Sequence, residues 1–238
     1  MISVCMATYN GEQYINQQLK SILKQIGNTD ELIISDDGST DKTIEIIKSY
    51  MNMYSNIKLI NGPHKGPINN FENALKMAIG DIIFLSDQDD VWVDGKVERV
   101  IEEFQNSETI LVLHDAYIID GKGNLISSSF FRHRNSKPGL FYNILKNSYL
   151  GCCMAFRKEL LIKCIPFPSN IEMHDWWIGL MGENLGNVSF IDNRLLKYRR
   201  HENNVSSFHH HPMYKMIYNR IYFIIQLNIR LKGNRRKW

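Results

Sequence analysis

The sequence predicts an α/β protein: a Rossmann-like mixed sheet, mainly parallel, flanked by helices. Three observations carry this expectation. Four short apolar runs within roughly the first 90 residues each stop at a polar turn. Stretches with apolar residues three and four apart separate the runs. The composition, 44% hydrophobic and 22% charged over 238 residues, supplies a full core.

The elements follow in order. Ile2–Thr8 reads as a buried parallel strand, followed by "GEQYINQQLKSILKQ", where Ile15, Leu19, Ile22 and Leu23 share one helical face. "ELIISDDGSTDK" repeats the pattern with a strand at Leu32–Ser35 and a helix from about Asp41. In that helix Ile44, Ile47 and Met51 are expected inside, with Ser39 or Thr40 as the cap. "NIKLIN" is a third strand. "NNFENALKMAIG" is a third helix with Phe71, Ala74 and Ala78 inward and Gly80 closing it. "DIIFLS" is the fourth strand. Beyond residue 108, "TILVLHDAYIID" and "NLISSSFF" flank the turn "DGKGN" as a hairpin. A helix near Phe141–Asn147, a strand near Leu150–Phe156, a helix after Arg157, a helical "HDWWIGLMGEN" and paired strands in "NVSFIDNRLLKYRRH" complete the pattern. No linker separates the halves, so both are expected in one sheet. Residues 1–108 form a ligand-binding half, 109–208 a second half of the same domain, and 209–238 a basic amphipathic helical tail.

Charge is unevenly placed. The net +3 hides a segment, 212–238, with seven Lys or Arg and no Asp or Glu, so the rest carries −4. No recognised nucleic-acid motif accompanies that basic tail, and no nucleic-acid partner is expected. Cys5, Cys152, Cys153 and Cys164 form no C-x-x-C pair and read as reduced, buried thiols of a cytoplasmic protein. "ISVCMATYN" lacks a basic leader and cleavage site, and no run of about 20 apolar residues predicts a membrane span.

Three polar clusters fall at the carboxyl ends of strands, where open α/β sheets bind ligands: Thr8-Tyr9-Asn10, Asp36-Asp37-Gly38 and Asp87-Gln88-Asp89-Asp90. Neither Gly-rich phosphate-loop pattern occurs. Three carboxylates in four positions repel phosphate unless a divalent ion joins them, and Mn²⁺ or Mg²⁺ bridges carboxylates to diphosphate oxygens.

With those residues in view, "VCMATYNGEQYINQQLKSIL", "ELIISDDGSTD", "NFENALKMAIGDIIFLSDQDDVW" and "HDWW", in that order over roughly 1–205, resemble the family 2 glycosyltransferases of GT-A fold. The "SDQDDVW" form is most similar to bacterial surface-polysaccharide enzymes, including rhamnosyltransferases. The resemblance implies a metal-dependent, inverting hexosyl or rhamnosyl transfer from a UDP- or dTDP-sugar to a saccharide acceptor, lipid-linked. It implies that Ala7 and Tyr9 line the base pocket, that Asp37 accepts the base's imide N–H, and that Asp36 stands beside it. Asp87 and Asp89 match the D-x-D acids, with Asp89 as direct metal ligand and Asp87 toward the ribose or the metal's water shell. Asp175 of "HDWW" matches the general base, and His174 departs from the acidic pair often found there.

Several readings stay open beside these. Asp90 either joins the site or caps the next helix. Trp176 and Trp177 either offer faces for sugar stacking or are core, with Asp175 as their cap. In "KYRRHENN", His201 is a candidate for metal or diphosphate against a solvated basic edge, and Lys65 is a candidate for phosphate. His209-His210-His211 reads as a linker rather than a metal tract. The apolar, aromatic and basic tail suits an anionic membrane surface, which would place the enzyme at the inner face of the cell membrane; docking on the enzyme itself or on a second subunit is the alternative. A sugar-phosphate nucleotidyltransferase would carry a basic Gly-rich opening loop, which "MATYNGEQY" lacks; a non-catalytic nucleotide-sugar-binding protein is the third reading.

Overall fold

A computed structural model describes residues 1–202, 204 and 212–235, with side chains through Lys232. The triple-histidine reading at 209–211, and with it the first residues of the 209–238 segment, lies outside the described residues.

Strand and helix alternate through the first part as β1 (Ile2–Thr8), α1 (Ile15–Leu23), β2 (Glu31–Asp36), α2 (Thr43–Met51), β3 (Ile57–Asn61), α3 (Pro67–Lys76) and β4 (Ile82–Asp87). Then come β5 (Val91–Trp92), α4 (Lys96–Glu103), β6 (Thr109–Asp120), β7 (Leu125–Ser127), α5 (Phe130–Arg134) and α6 (Leu140–Leu145). A 3₁₀ turn at Gly151–Cys153 leads to β8 (Met154–Arg157), α7 (Lys158–Cys164), α8 (His174–Leu185), β9 (Asn187–Arg200) and α9 (Met213–Arg235).

One sheet holds both halves in the order β3-β2-β1-β4-β8-β6-β9-β5, with β7 hairpinned onto β6. The pairs from β3 to β4 are parallel, as is β6–β9, while β8 runs antiparallel to both its neighbours. Such a mixed sheet is what the α/β expectation required. The register matters more than the order. Thr8 lies opposite Asp36, and Ala7 opposite Asp87, so the turns after β1, β2 and β4 leave the sheet side by side. Val4, Ile33, Ile34, Phe84 and Leu85 have no exposure, and burying each such side chain contributes about 1.5–3 kcal/mol.

Several local expectations are corrected. Met51 is exposed, and Tyr50 fills the inward position of α2. Its first turn is satisfied by Asp41, which accepts the Thr43 N–H at 2.9 Å, not by Ser39 or Thr40. The third helix ends at Lys76, and Gly80 closes no helix: an added Cβ there would lie 2.6 Å from the Ser3 nitrogen. The strand expected from Leu150 begins only at Met154. The "NVSFIDNRLLKYRRH" segment is one long strand beside β6, its polar Asp192–Asn193 interruption absorbed as irregular register between His114 and Asp115.

The tail helix docks on the domain. Phe223 and Leu227 are buried, and the Phe223 ring centre lies 4.5 Å from that of Trp176 and 6.4 Å from that of Trp177. Arg220 donates to the Leu145 carbonyl at the end of α6, and Arg230 donates to Lys163 O (3.2 Å) and Ile165 O (3.1 Å) at the end of α7. Cations there satisfy carbonyls that a helix end leaves without partners. The opposite side of α9 exposes Ile217, Tyr218, Ile221 and Ile225. Among the described residues, no helix is long and apolar enough to cross a membrane.

Candidate active site

The β2 turn is built around Asp36. Its Oδ2 accepts the Thr8 hydroxyl (2.8 Å) and the Ser39 hydroxyl (2.6 Å), and its Oδ1 accepts the N–H groups of Gly38 (3.1 Å) and Ser39 (2.8 Å). Closing that turn requires φ = +96° at Gly38, a conformation glycine adopts without strain. Asp36 is thus buried and satisfied by its own turn and the neighbouring end of β1. Asp37 points its bonds outward to the next loop, accepting the N–H groups of His64 (2.6 Å) and Gly66 (2.8 Å). Lys65, between them, is exposed. Ala7 is half-buried at the end of β1. Tyr9 is exposed, and its backbone is held at both ends by Gln88, with Tyr9 N–H to Oε1 at 3.0 Å and Nε2 to Tyr9 O at 2.9 Å. The side chain of Gln88 therefore braces the β1 turn against the acidic turn.

Within the acidic turn the three carboxylates have different surroundings. Asp89 Oδ2 lies 2.7 Å from His201 Nε2 and accepts from Asn204 Nδ2 at 3.2 Å. Arg199, at the end of β9, donates its Nε to Asp89 O (2.7 Å), its backbone N–H to Asp90 Oδ1 (2.8 Å) and its Nη2 to Gln17 (2.8 Å). Its guanidinium also lies 4.6 Å from the centre of the Tyr14 ring, which in turn packs on His201. Asp90 is fully buried and caps no helix: α4 begins at Lys96 after Gly95. Its Oδ2 has no partner among the described residues. Asp87 is half-buried, and potential ligand atoms of Asp87, Asp90 and Cys152 lie within 4.8 Å of one another.

This crowding shows in the acidities. Burial first, then the charges of Asp89 and Asp175, push Asp87 up to about 7. Burial, followed by Asp89 and Asp87, raises Asp90 well above the ordinary carboxylate range. Lys96 is moved by burial the other way, down to about 8. The donors on offer are mainly hard carboxylate oxygens, with the His201 imidazole beside Asp89 and the Cys152 thiol beside Asp87 and Asp90; the carboxylates fit Mg²⁺ or Mn²⁺, and Asp90 Oδ2 has bonding capacity left over.

Asp175 reaches this region from the first turn of α8. Its Oδ2 accepts the Gly151 N–H at 3.0 Å and its Oδ1 the Trp176 N–H at 2.6 Å, while burial raises it to about 6. The 3₁₀ turn Gly151–Cys153 thus connects the two groups of acids: Gly151 holds Asp175, and Cys152 sits with Asp87 and Asp90. His174 is buried against Phe71, ring centres 4.2 Å apart, with burial lowering it to about 3, so it is neutral at physiological pH. The stacking role for the tryptophans is overturned. Trp176 and Trp177 are core, their indole N–H groups donating to Asn143 O (2.7 Å) and Cys164 O (3.1 Å), and α9 covers them. All four cysteines are buried and unpaired.

Sequence reading missed the Gly151–Cys153 turn, the clamp made by Arg199 and Asn204, and the interior position of Lys96. The only signal for Lys96 was its place as the first cation after the acidic run; nothing in periodicity marks a lysine as interior. Separately from the acids, an apolar groove of about 410 Å³ runs between α6 and α9, lined in part by Phe141, Leu145, Ile224 and Leu231.

A mixed sheet flanked by helices, with polar turns gathered at the ends of its parallel strands, is the GT-A fold of glycosyltransferases. The chain belongs to glycosyl transferase family 2, whose description matches residues 3–165. Among its relatives, the dTDP-rhamnosyl transferase RfbG of Shigella flexneri is 32% identical over 84% of this chain and 72% of that protein. WfgD of Escherichia coli, a UDP-Glc:alpha-D-GlcNAc-diphosphoundecaprenol beta-1,3-glucosyltransferase, is 29% identical over 87% of this chain and 80% of its own length. In fold, the chain is similar to Staphylococcus aureus TarS 1–349 in complex with UDP-GlcNAc, with a TM-score of 0.74 at 23% identity over 94% of this chain. The chain spans about two thirds of the length of such relatives, 65% in one case and 66% for TarS.

Proposed function

We propose that this glycosyltransferase moves a sugar, a hexose or rhamnose, with inversion, from a UDP- or dTDP-sugar to a lipid-linked saccharide acceptor in bacterial surface polysaccharide synthesis. The observation that carries the reading is the meeting of the acidic turn and the raised, buried Asp175 across Gly151–Cys153. Family membership sets the nucleotidyltransferase alternative aside. RfbG by name supports a dTDP-sugar, and WfgD by name supports a UDP-sugar and a lipid diphosphate acceptor.

In this mechanism residues 1–108 bind the donor and 109–208 complete the site. Ala7 and Tyr9 flank the base. Asp37 takes the imide N–H of uracil or thymine; each of its oxygens already accepts one backbone N–H and has room for a second bond. Asp36 shapes the turn that presents Asp37, and Lys65 is placed for a phosphate. Asp89 and His201, with Asp87, would hold Mn²⁺ or Mg²⁺, which offsets the charge growing on the departing diphosphate. Asp175 takes the proton from the acceptor hydroxyl as that oxygen attacks the anomeric carbon from the face opposite the leaving nucleotide. One base is enough for a single displacement, and its raised pKa keeps it a competent proton acceptor near neutral pH. The exposed apolar side of α9, with the basic excess of 212–238, supports contact with an anionic membrane surface where such an acceptor resides.

The test pairs binding with turnover. UDP or dTDP should raise the melting temperature only with Mn²⁺ or Mg²⁺ present. Asp175→Asn should keep that shift and lose transfer by at least about a hundredfold. Normal turnover by Asp175→Asn would remove the base from the scheme.

A further inference from the structure

Lys96 is wholly buried, a rare place for a lysine without a paired charge. Its Nζ donates to the Cys152 carbonyl at 2.8 Å and lies 4.2 Å from the centre of the Trp92 ring. Neither contact is a carboxylate. The negative charge it faces is one step further: Asp90 and Asp87 both act on the ammonium through space, favouring its charged form, and their carboxylates sit with the Cys152 thiol, ligand atoms within 4.8 Å of one another. An apolar side chain would pack against Trp92 at a smaller desolvation cost, so the ammonium is there for its charge. It is also the anchor of the turn whose first N–H, from Gly151, orients Asp175.

We propose that Lys96 is an internal counter-cation and positioning residue: it offsets Asp87 and Asp90 in the metal-free protein, anchors the Gly151–Cys153 turn, and tempers the affinity of the acidic turn for a divalent ion. The second half of this inference rests on the reading of that turn as a metal site; the first half does not. Both follow from Coulomb's law at short range inside a protein. Removing the ammonium strips positive charge from beside the Asp87 and Asp90 carboxyls wherever they ionise, which destabilises the metal-free fold. The same removal takes away a repulsion that an incoming divalent cation must overcome, so binding tightens.

Lys96→Gln separates charge from anchoring, since its amide retains a donor for the Cys152 carbonyl; Lys96→Met removes both. Calorimetric titration with Mn²⁺ alone should show Lys96→Gln binding about tenfold or more tightly than the unmodified protein. Thermal unfolding in EDTA should show a lowered melting temperature for both variants, largely restored by adding Asp87→Asn, as a double-mutant cycle between coupled charges requires. Equal or weaker Mn²⁺ affinity in Lys96→Gln overturns the tempering role. Absence of restoration by Asp87→Asn overturns the counter-cation role. If the unmodified protein binds no Mn²⁺, the metal reading fails instead, and the EDTA cycle still decides whether Lys96 offsets the acids. A Lys96→Met chain that unfolds in EDTA and recovers with Mn²⁺ supports the proposal; one rescued by neither Mn²⁺ nor Asp87→Asn refutes it.

Discussion

Two backbone N–H groups reach the carboxylate of Asp175, and each favours the charged form, yet burial outweighs both and leaves it at about 6 rather than 3.8. The sign for catalysis follows directly. A base must be ionised to act, so kcat/KM for the acceptor, with metal and donor saturating, should rise with pH and level off above about 6. Below that it should fall about tenfold per unit. A profile flat down to pH 5 would count against Asp175 as the proton acceptor. Stability runs the other way: the folded protein holds that proton more tightly than the unfolded chain, so this group costs stability as pH climbs from about 4 to about 6. At this scale the sequence was half legible. Adjacent Asp36 and Asp37 look equivalent in "SDDG", but three hydrogen bonds within its turn and a fourth from Thr8 of β1 occupy Asp36, while the bonds of Asp37 cross to the β3 loop. No one-dimensional pattern distinguishes a carboxylate spent on its own turn from one that links two.

Helix α9 carries one docked face and one exposed face, and substitutions should separate what each does. Phe223→Ala opens a hole between Trp176 and Trp177 and should cost about 3–5 kcal/mol in chemical denaturation. Ile221→Asp with Ile225→Asp, both on the exposed side, should leave folding within about 0.5 kcal/mol. The pair should also reduce co-flotation with anionic vesicles; unchanged flotation would rule the exposed side out as the membrane contact. Deleting the whole helix would confuse the two effects, because it strips the cover from the tryptophans. Continuous apolar runs placed β1 to β4 and the 3.6 period placed α1 to α3, but neither marked β5 or α4. They failed at β9, whose polar Asp192–Asn193 step breaks the pattern without breaking the strand, and at Trp176 and Trp177, whose cover comes from an element some 45 residues later.

For the whole molecule, nucleotide and metal together should act as a clamp on turns that come from distant parts of the chain. At a hundredfold excess over Kd, UDP or dTDP with Mn²⁺ should add about 2.7 kcal/mol, or roughly 5–10 °C in melting temperature for a chain of this size. A shift without metal would argue that the acids play no part in holding the nucleotide. Fold class and the gathering of polar turns were legible together because a parallel half-sheet sends its turns to one edge; Asp175 and His201 of the second half were named as candidates, but the Arg199 and Asn204 contacts that bind that half to the acidic turn were not, since they arise through tertiary contact alone. Arg199 makes this concrete. It grips the acidic turn 110 residues upstream by two bonds and Gln17 of α1 by a third, and it lies, with Asp175, His201 and Asn204, past residue 165, where the family's signature stops. A fragment ending there would keep the turns proposed to cradle a nucleotide but lose the latch that shuts the acids into place and the acid proposed to take the proton.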